Sequence, residues 1–264
     1  MTDRRIFNAL KPNRVIDRGT AMLLVAGWVV AGFTVWMLSP FATLPTPIEV
    51  WRAFTDMWWT EGLGPELMTT VHLIFQALFF TVVISMALSY LTVIAFFRPL
   101  VAAASKLRFL GLTGLVFPFT LVTGGGYTLK VALLTFGMTA FFVTSMAQVV
   151  VEIPRAQFDH MRVLGASETR ILWEVVVRGT LDKALDVMRQ NVAMGWAMIT
   201  MVEGISRSEG GIGAMILNQN KHFLLAQVYA ILLVILVLGL VMDYAIGALT
   251  NVICPYAAFE RVRR

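Results

Sequence analysis

The chain has 264 residues, of which 58% are hydrophobic and 14% are charged, and its formal net charge is +5 at pH 7. Its mean hydropathy is +0.76. This is far more apolar surface than one soluble core can bury, so the composition predicts an integral membrane protein and excludes a soluble domain. The lone Cys254 excludes a disulfide within the chain. We expect no metal site, because no cysteine or carboxylate stands at ligand spacing from the scattered histidines His72, His160 and His222.

The N-terminal segment, residues 1–19, is basic. It carries Asp3 and Asp17 against Arg4, Arg5, Lys11, Arg14 and Arg18. We interpret it as a retained cytoplasmic segment, because the uncharged run that follows lacks the small-residue cleavage site of a signal peptide. That run, residues 20–38, is long enough to form the first transmembrane helix.

Residues 39–66 are predicted to form the first outer loop. Four prolines break helical structure in this segment: Pro40, Pro45, Pro47 and Pro65. Three tryptophans suit an interfacial belt at the membrane surface: Trp51, Trp58 and Trp59.

Residues 67–97 form the second predicted span. They contain no Asp, Glu, Lys or Arg over 31 residues. A helix of that length measures about 46 Å, so the span must tilt or extend beyond the hydrocarbon. Small side chains recur every fourth residue, which favours close helix packing over a polar lining for permeation: Ala77, Thr81, Ser85 and Ser89. His72 and Gln76, one turn apart, are interpreted as a hydrogen-bonded interfacial pair in preference to a substrate contact.

Residues 109–129 and 131–151 are the third and fourth predicted spans. The third is interrupted by Pro118 and by the three glycines at 124–126. A broken helix is tolerated in a membrane where it faces protein or a water-filled cavity, so this region is a candidate element of a transport pathway. A tight turn between the two spans explains the glycines equally well. Pro118 is therefore the better marker of a cavity.

The fifth predicted span, residues 187–202, ends at Glu203, and an outer loop over residues 204–222 follows. Glu203 either lines a vestibule or caps the glycine-rich loop at 210–213. Capping is the preferred interpretation. An ionisable residue at a membrane boundary costs much less than one at the bilayer centre, so its position does not demand a transport role. The sixth span, residues 223–242, is extended by residues 244–249.

These segments predict an all-α integral membrane protein with six transmembrane helices. They form a single transmembrane domain over residues 20–250, followed by a cytoplasmic tail over residues 251–264. Of the 21 lysines and arginines, 17 lie in the N-terminal segment, the loop at 98–108, the polar block at 151–189 and the tail. The remaining four lie on the other side of the membrane: Arg52, Lys130, Arg207 and Lys221. By the positive-inside rule, both termini and the polar block are cytoplasmic.

The polar block at 151–189 lies between two spans. It contains six basic and six acidic residues, so it is not a simple anion-binding or lipid-binding strip. Gly165 tolerates the left-handed turn that ends a helix, and Ser167 readily caps the next helix. The block is therefore predicted to fold as a helix, a turn and an amphipathic helix, with Glu174 and Arg178 placed for an i,i+4 ion pair.

A family resemblance is carried by FDHMRVLGASETRILWEVVVRGTLDKALDVMR, followed by WAMITMVEGI and GGIGAMI. These segments resemble the inner-membrane permease subunit of type I ABC importers, and within it the nitrate, sulfonate and taurine group. That family's cytoplasmic signature is Glu-Ala-Ala, three residues, Gly, nine residues and Ile-x-Leu-Pro. With its glycine on Gly165, the remaining positions fall on Asp159, His160, Met161, Val175, Val177 and Arg178. The glycine, the length and the apolar pattern are kept, whereas the two alanines and the proline are not.

The resemblance implies a cytoplasmic coupling-helix hairpin over about residues 152–186. In that family the signature docks into a groove on a cytoplasmic ATPase subunit. The corresponding contact residues here are Asp159, His160, Met161, Leu164, Gly165, Ala166, Ser167 and Arg170. The candidate pathway or vestibule residues are Pro118, from the interrupted third span, and Glu203, which stands where that family often has an acidic residue at the outer end of the fifth span.

The function implied is that of a permease subunit of an ATP-driven importer, which couples ATPase motions to alternating access for a small solute. The group implies an anion such as a sulfonate or nitrate. The implied partners are two ABC ATPase subunits, a second permease copy or a similar permease, and a periplasmic or lipid-anchored solute-binding protein, at a bacterial cytoplasmic membrane.

We expect this chain to be a transport subunit and not an enzyme, and to bind no cofactor itself. No GxxxxGK[ST] motif occurs in the sequence, so ATP and Mg²⁺ are expected on the partner ATPase. The alternative is an ATP-independent membrane channel or scaffold, which would not need the polar hairpin. Nothing in the sequence calls for nucleic acid as a partner.

Overall fold

The computed structural model describes residues 17–39, 44–206 and 209–255. Within these ranges the regular elements are all helical, as the all-α prediction requires. The predicted N-terminal segment before residue 17, the tail after residue 255, Pro40 and Arg207 lie outside the described residues.

The described α-helices are numbered in chain order: α1 Arg18–Met37, α2 Pro47–Trp59, α3 Leu63–Leu91, α4 Arg98–Lys106, α5 Leu112–Thr123, α6 Gly126–Val151, α7 Arg155–Val163, α8 Glu168–Ile171, α9 Leu181–Ile205, α10 Ile212–Lys221 and α11 Leu225–Ile253. Short 3-10 turns occupy Ala95–Phe97 and Leu107–Phe109, and a π-helical segment occupies Leu172–Arg178.

Among the described residues, four helices are long and apolar enough to cross a membrane, namely α1, α3, α6 and α11. Helix α5 has 12 residues, about 18 Å of helix, which is too short to cross alone. It is joined at 115° to the preceding segment Ala95–Phe109. Helix α9 has 25 residues but begins with a polar stretch at 182–189. The six-helix prediction is compatible with this architecture but does not match it span for span.

Two predicted outer loops contain helices, and this corrects the sequence analysis. Helix α2 begins at Pro47, where proline occupies the first helical turn and loses no hydrogen bond. Thr46 and Glu49 close a capping box in front of it. Helix α10 occupies most of the predicted loop at 204–222.

Span boundaries also shift. Helix α3 runs from Leu63 to Leu91, whereas the prediction was 67–97. Pro65 falls in its first turn, so it does not delay the start of the helix. Helix α9 starts at Leu181, six residues before the predicted fifth span. Its first turns carry four charged residues, of which Lys183 is exposed and Asp182, Asp186 and Arg189 are partly buried, and the helix continues from them into the apolar segment.

The core forms where α3 packs along α6, with α9 and α11 against them. Its buried members include Ile74, Leu134, Met138, Trp196 and Ile199. The small side chains of α3 face this contact, and all four are fully buried, as the packing interpretation predicts: Ala77, Thr81, Ser85 and Ser89. Helix α1, by contrast, is almost wholly exposed in this single chain.

Candidate functional site

The hairpin turn that the sequence centres on Gly165 is present. Helix α7 ends there, and Gly165 has a left-handed φ of +77°. Two backbone bonds close the turn, from the Gly165 N–H to the Arg162 carbonyl at 2.9 Å and from the Ala166 N–H to the Met161 carbonyl at 3.1 Å. A Cβ at Gly165 would meet nothing within 4 Å. Backbone conformation alone, and not crowding, therefore favours glycine here.

Polar contacts fix the two arms of the hairpin across this turn. The Ser167 hydroxyl accepts from the Arg170 N–H at 3.4 Å and caps α8, as predicted. The Arg162 guanidinium lies 2.9 Å from Glu168 on the second arm and 3.2 Å from Asp159 on its own helix. The hydrogen bond from Arg162 holds the pKa of the Glu168 carboxyl below its ordinary value. Arg162 thus links both arms through exposed ion pairs.

The second arm is only partly the amphipathic helix predicted. The Glu174–Arg178 ion pair is present at 3.1 Å, yet the Leu172–Arg178 segment is π-helical. A Cβ at Gly179 would lie 2.3 Å from the Val175 carbonyl oxygen. The missing side chain at Gly179 therefore permits this wider winding, which sequence periodicity does not reveal.

The root of the hairpin is anchored in the core, and its tip is exposed. Val176 is fully buried in a cluster with Phe142 and Met146 of α6. At the tip, Val163 and Leu164 are 86% and 67% exposed. Of the predicted coupling residues, two are partly buried, Met161 and Ala166, and six are exposed: Asp159, His160, Leu164, Gly165, Ser167 and Arg170.

A cleft lies beside the predicted coupling residues, at the same end of the helix bundle. A cleft of about 730 Å³ lies beside α7 and is lined by Arg98, Arg155, Asp159 and Arg162, among others. The predicted inner loop at 98–108 therefore shares an end of the molecule with the hairpin. The exposed Val163 and the clustered cations of this cleft were not singled out by sequence, because neither belongs to the family signature.

A second polar site lies at the opposite end of α6 and α9. Glu203 is fully buried. Its Oε1 accepts from the Thr70 hydroxyl at 2.7 Å, and its Oε2 accepts from the Gly213 N–H at 2.7 Å. The Thr70 hydroxyl in turn accepts from the Ile212 N–H at 2.9 Å. This is the contact that the loop-capping interpretation of Glu203 requires.

Two further charged residues form hydrogen bonds with the backbone of the same loop. Lys130, also fully buried, donates from Nζ to the Gly210 carbonyl at 2.7 Å. Glu66 accepts from the Gly211 N–H. Gly211 itself has a φ of +105°, and a Cβ there would lie 2.4 Å from the Glu203 carboxyl. Sequence analysis placed Lys130 on this side of the membrane but gave no sign that it and Thr70 serve the loop.

The other residues that the sequence singled out lie in α3, in α5 and in the connection between α5 and α6. Pro118 is exposed in the middle of α5, which continues through it. The glycines at 124–126 make the tight connection between α5 and α6, with φ of +77°, +91° and +66°. His72 and Gln76 do not bond to each other. Both contact the Tyr127 hydroxyl, at 2.8 Å from His72 Nδ1 and 3.0 Å from Gln76 Oε1.

The family model described as "binding-protein-dependent transport system inner membrane component" matches residues 6–251. The taurine transport system permease protein TauC of Escherichia coli (strain K12) is 24% identical over 253 residues, which is 89% of this chain and 87% of that protein.

Solved structures share the fold. Inward-facing forms of the MetNI methionine ABC transporter match at TM-scores of 0.64 and 0.60 with 18% and 17% identity. The match covers 75% of this chain and 97% of the other in the first form, and 79% and 99% in the second.

Proposed function

Because the chain belongs to the family of binding-protein-dependent transport system inner membrane components and is a permease subunit of an ABC importer, we propose that its hairpin at 152–186 couples an ATPase to the transmembrane helices. We propose further that the carried solute is a small anion such as a sulfonate. The relative named for taurine transport supports that class of solute.

One observation carries the coupling proposal: the hairpin is exposed at its tip and continuous with the core at its root. Leu164 projects at the tip, whereas Val176 is buried against α6. Helix α9 begins at Leu181, within the C-terminal part of the hairpin, and extends past the buried Glu203 at the other end of the bundle. A displacement of the hairpin is therefore passed to the outer loop along α9, which follows the π-helical segment after the turn at Gly179 and Thr180.

The proposed contact residues on this chain are Asp159, His160, Met161, Leu164, Gly165, Ala166, Ser167 and Arg170. The exposed Leu164 and Val163 supply apolar surface, and the cations of the neighbouring cleft supply charge. An interface core of this kind needs apolar anchors surrounded by polar contacts. His160 and Met161 replace the small residues of the family signature, so the groove that receives them must be wider.

The assembly proposed has two ATPase subunits that hold ATP and Mg²⁺, a second permease copy or a similar permease, and a solute-binding protein on the outer side. Both termini and the hairpin lie in the cytoplasm of a bacterial cell with this chain in its inner membrane. The charge bias supports this orientation, because Lys130 and the hairpin lie at opposite ends of α6.

For the two residues outside the hairpin we propose different roles. Glu203 stabilises the loop at 210–213 and couples its position to that of α9, because its carboxylate is buried and both oxygens accept hydrogen bonds. We propose that the part of α5 around the exposed Pro118 borders the pathway, because the next residue, Phe119, lines a cleft between α3, α5 and α6.

The test is co-purification of the tagged permease from mild detergent, scored for bound ATPase subunit and vanadate-sensitive ATP hydrolysis. Arg170→Glu and Gly165→Pro, both at the hairpin, are expected to lose the ATPase while the permease stays folded. Lys221→Glu, an exposed cation at the opposite end, is the matched control and keeps it. A paired charge reversal at Glu174 and Arg178 preserves their ion pair and tests the second arm.

If no ATPase is recovered with the wild-type chain from its native host, coupling through this hairpin is wrong and an ATP-independent channel or scaffold takes its place. If the ATPase is recovered and Arg170→Glu binds it as well as Lys221→Glu does, the docking surface lies elsewhere on the chain.

A further inference from the structure

The cleft of about 730 Å³ beside α7 lies where the hairpin meets the ends of two long apolar helices. Its lining residues Thr92 and Val93 directly follow α3, and Val150 and Val151 end α6. Both helices are long and apolar enough to cross a membrane. The cleft is therefore at the membrane boundary, where hydrocarbon on one side meets the polar headgroups on the other.

One wall of the cleft is apolar. Val93, Val150 and Phe158 contribute to it. Val151, the last residue of α6, also lines the cleft and is 71% exposed. Because lipid tails are as apolar as these side chains, this wall suits contact with the first carbons of an acyl chain.

The opposite chemistry is supplied by three arginines that line the same cleft: Arg98, Arg155 and Arg162. Arg162 is paired with two carboxylates of the hairpin, so its charge is used within the hairpin. In the part of the chain that the structure describes, neither Arg98 nor Arg155 forms an ion pair. Arg98 donates from Nε to the Thr92 carbonyl at 3.1 Å, which uses one of its five N–H groups and orients the rest.

The segment that carries Arg98 has the pattern of a helix lying on a lipid surface. Residues 95–109 contain three basic residues, and residues 67–151 contain no acidic one. Phe96 and Leu100, about one turn apart, are 83% and 53% exposed. The segment meets α5 at 115°. Exposed apolar side chains beside cations, in a segment bent away from a membrane helix, are typical of an interfacial element that attracts anionic lipids.

We infer that this cleft, here called the arginine cleft and defined by Arg98, Arg155 and the apolar wall at 150–151, binds an anionic phospholipid from the membrane leaflet next to the hairpin. The two unpaired guanidiniums bind the headgroup phosphate, because their planar N–H groups match the geometry of phosphate oxygens. The apolar wall contacts the acyl chains. A soluble phosphate has no part that uses this wall, so a lipid is the occupant that fits the whole cleft.

A lipid in this position also links two elements of the permease. Arg98 is the first residue of α4, and Arg155 is the first residue of α7. One phosphate bound by both holds the start of the hairpin against the interfacial segment. The inference does not depend on which solute is carried or on how the hairpin contacts an ATPase.

The experiment is a lipid titration of the permease, purified in a neutral mild detergent with the subunits that accompany it and followed by native mass spectrometry. The probes are dioleoyl phosphatidylglycerol, which is anionic, and dioleoyl phosphatidylcholine, which has the same chains and no net charge. A neutral detergent has no anionic surface, so only residues that contact the bound lipid contribute. We expect phosphatidylglycerol to bind about 25-fold more tightly, from about fivefold for each of two exposed ion pairs.

The variants locate the site. Arg98→Gln with Arg155→Gln is expected to weaken phosphatidylglycerol binding about 25-fold and to leave phosphatidylcholine binding unchanged. Arg155→Gln alone removes no ion pair of the described chain and is expected to weaken it about fivefold, which covers the case in which the double variant does not fold. The matched control, Lys106→Gln with Lys183→Gln, removes two exposed cations that do not line the cleft and should change binding less than about twofold.

Glycerol 3-phosphate, which has the phosphate without the acyl chains, distinguishes a lipid from a soluble phosphate. In large excess it is expected not to displace phosphatidylglycerol, and displacement overturns the lipid assignment. Equal binding of the two lipids, wild-type binding by Arg155→Gln, or an equal loss in the lysine control each overturns the site. Each preparation is also scored for bound ATPase subunit, which the arginine variants are expected to keep. Loss of the ATPase with unchanged lipid binding assigns these cations to the ATPase contact, and the inference is then wrong.

Discussion

The buried Glu203 gives the sharpest prediction outside the hairpin, through the substitution Glu203→Gln. The change keeps the shape of the side chain but leaves one oxygen where the carboxylate has two. In the structure both oxygens accept, one from the Thr70 hydroxyl and the other from the Gly213 N–H, each at 2.7 Å. An amide has only one accepting oxygen; if that oxygen accepts from the Gly213 N–H, the NH₂ group faces the Thr70 hydroxyl, and the hydrogen of that hydroxyl loses its acceptor.

The expected loss of stability follows from the one hydrogen bond that the substitution removes. Loss of one hydrogen bond to a charged acceptor costs roughly 1.5–3 kcal/mol, because a buried donor is left unsatisfied. For a domain of this size, each kcal/mol shifts the melting temperature by about 2–4 °C. A central loss of about 2 kcal/mol therefore lowers the apparent melting temperature by about 4–8 °C.

The assay is thermal denaturation of the purified permease in mild detergent, followed by the fraction that stays monodisperse. Glu152→Gln, at an exposed glutamate, is the control and should shift the melting temperature by less than about 2 °C. If Glu203→Gln shifts the melting temperature as little as the control does, the proposed stabilisation of the loop by Glu203 is wrong. The double variant with Thr70→Val should lose at least about 0.5 kcal/mol less than the sum of the singles, since both remove the same bond.

Three further predictions concern the turn, its ion pair and the outer loop. Gly165→Ala should destabilise the protein by about 1 kcal/mol through its positive φ, whereas Gly27→Ala, in the helical interior of α1, should be neutral or stabilising; a melting comparison decides this. Arg162 lowers the pKa of Glu168, so stability from their pair is full above the ordinary glutamate pKa and is lost as pH falls through the lowered value. The melting difference between wild type and Glu168→Gln should vanish on acidification, and a constant difference would contradict this. Gly213→Ala places a Cβ 2.6 Å from backbone atoms of α9 and should sharply reduce monodisperse protein on size exclusion, whereas full recovery would show that the loop can move.

The hairpin was largely predictable because its structure is local. The turn at Gly165, the Ser167 cap and the Glu174–Arg178 pair each involve residues within a few positions of one another. Such contacts follow from backbone preferences and helical spacing. Its π-helical second arm was not predictable, since it depends on the missing side chain at Gly179 and on packing against the core.

Helices α2 and α10 were missed for a related reason. Prolines and glycines near Pro47 and Gly211 indicate where a helix cannot pass, but they equally mark where one begins. Each helix is stabilised by burial of a few side chains against distant parts of the chain, such as Met57 and Ile212 in one outer cluster with Leu63 and Ile231. That burial outweighs the local signals for a loop.

The sequence by itself determined the membrane class, the long apolar helices, the charge asymmetry and the hairpin, because composition and short-range periodicity specify them. Tertiary structure alone decided which residues contact the outer loop at 210–213 and which residues contact Tyr127. Thr70 and Glu203 are 133 residues apart, and Gln76 and Tyr127 are 51 apart. Which residues meet over such distances depends on how the helices pack, and that in turn depends on close fit between side chains from four helices at once.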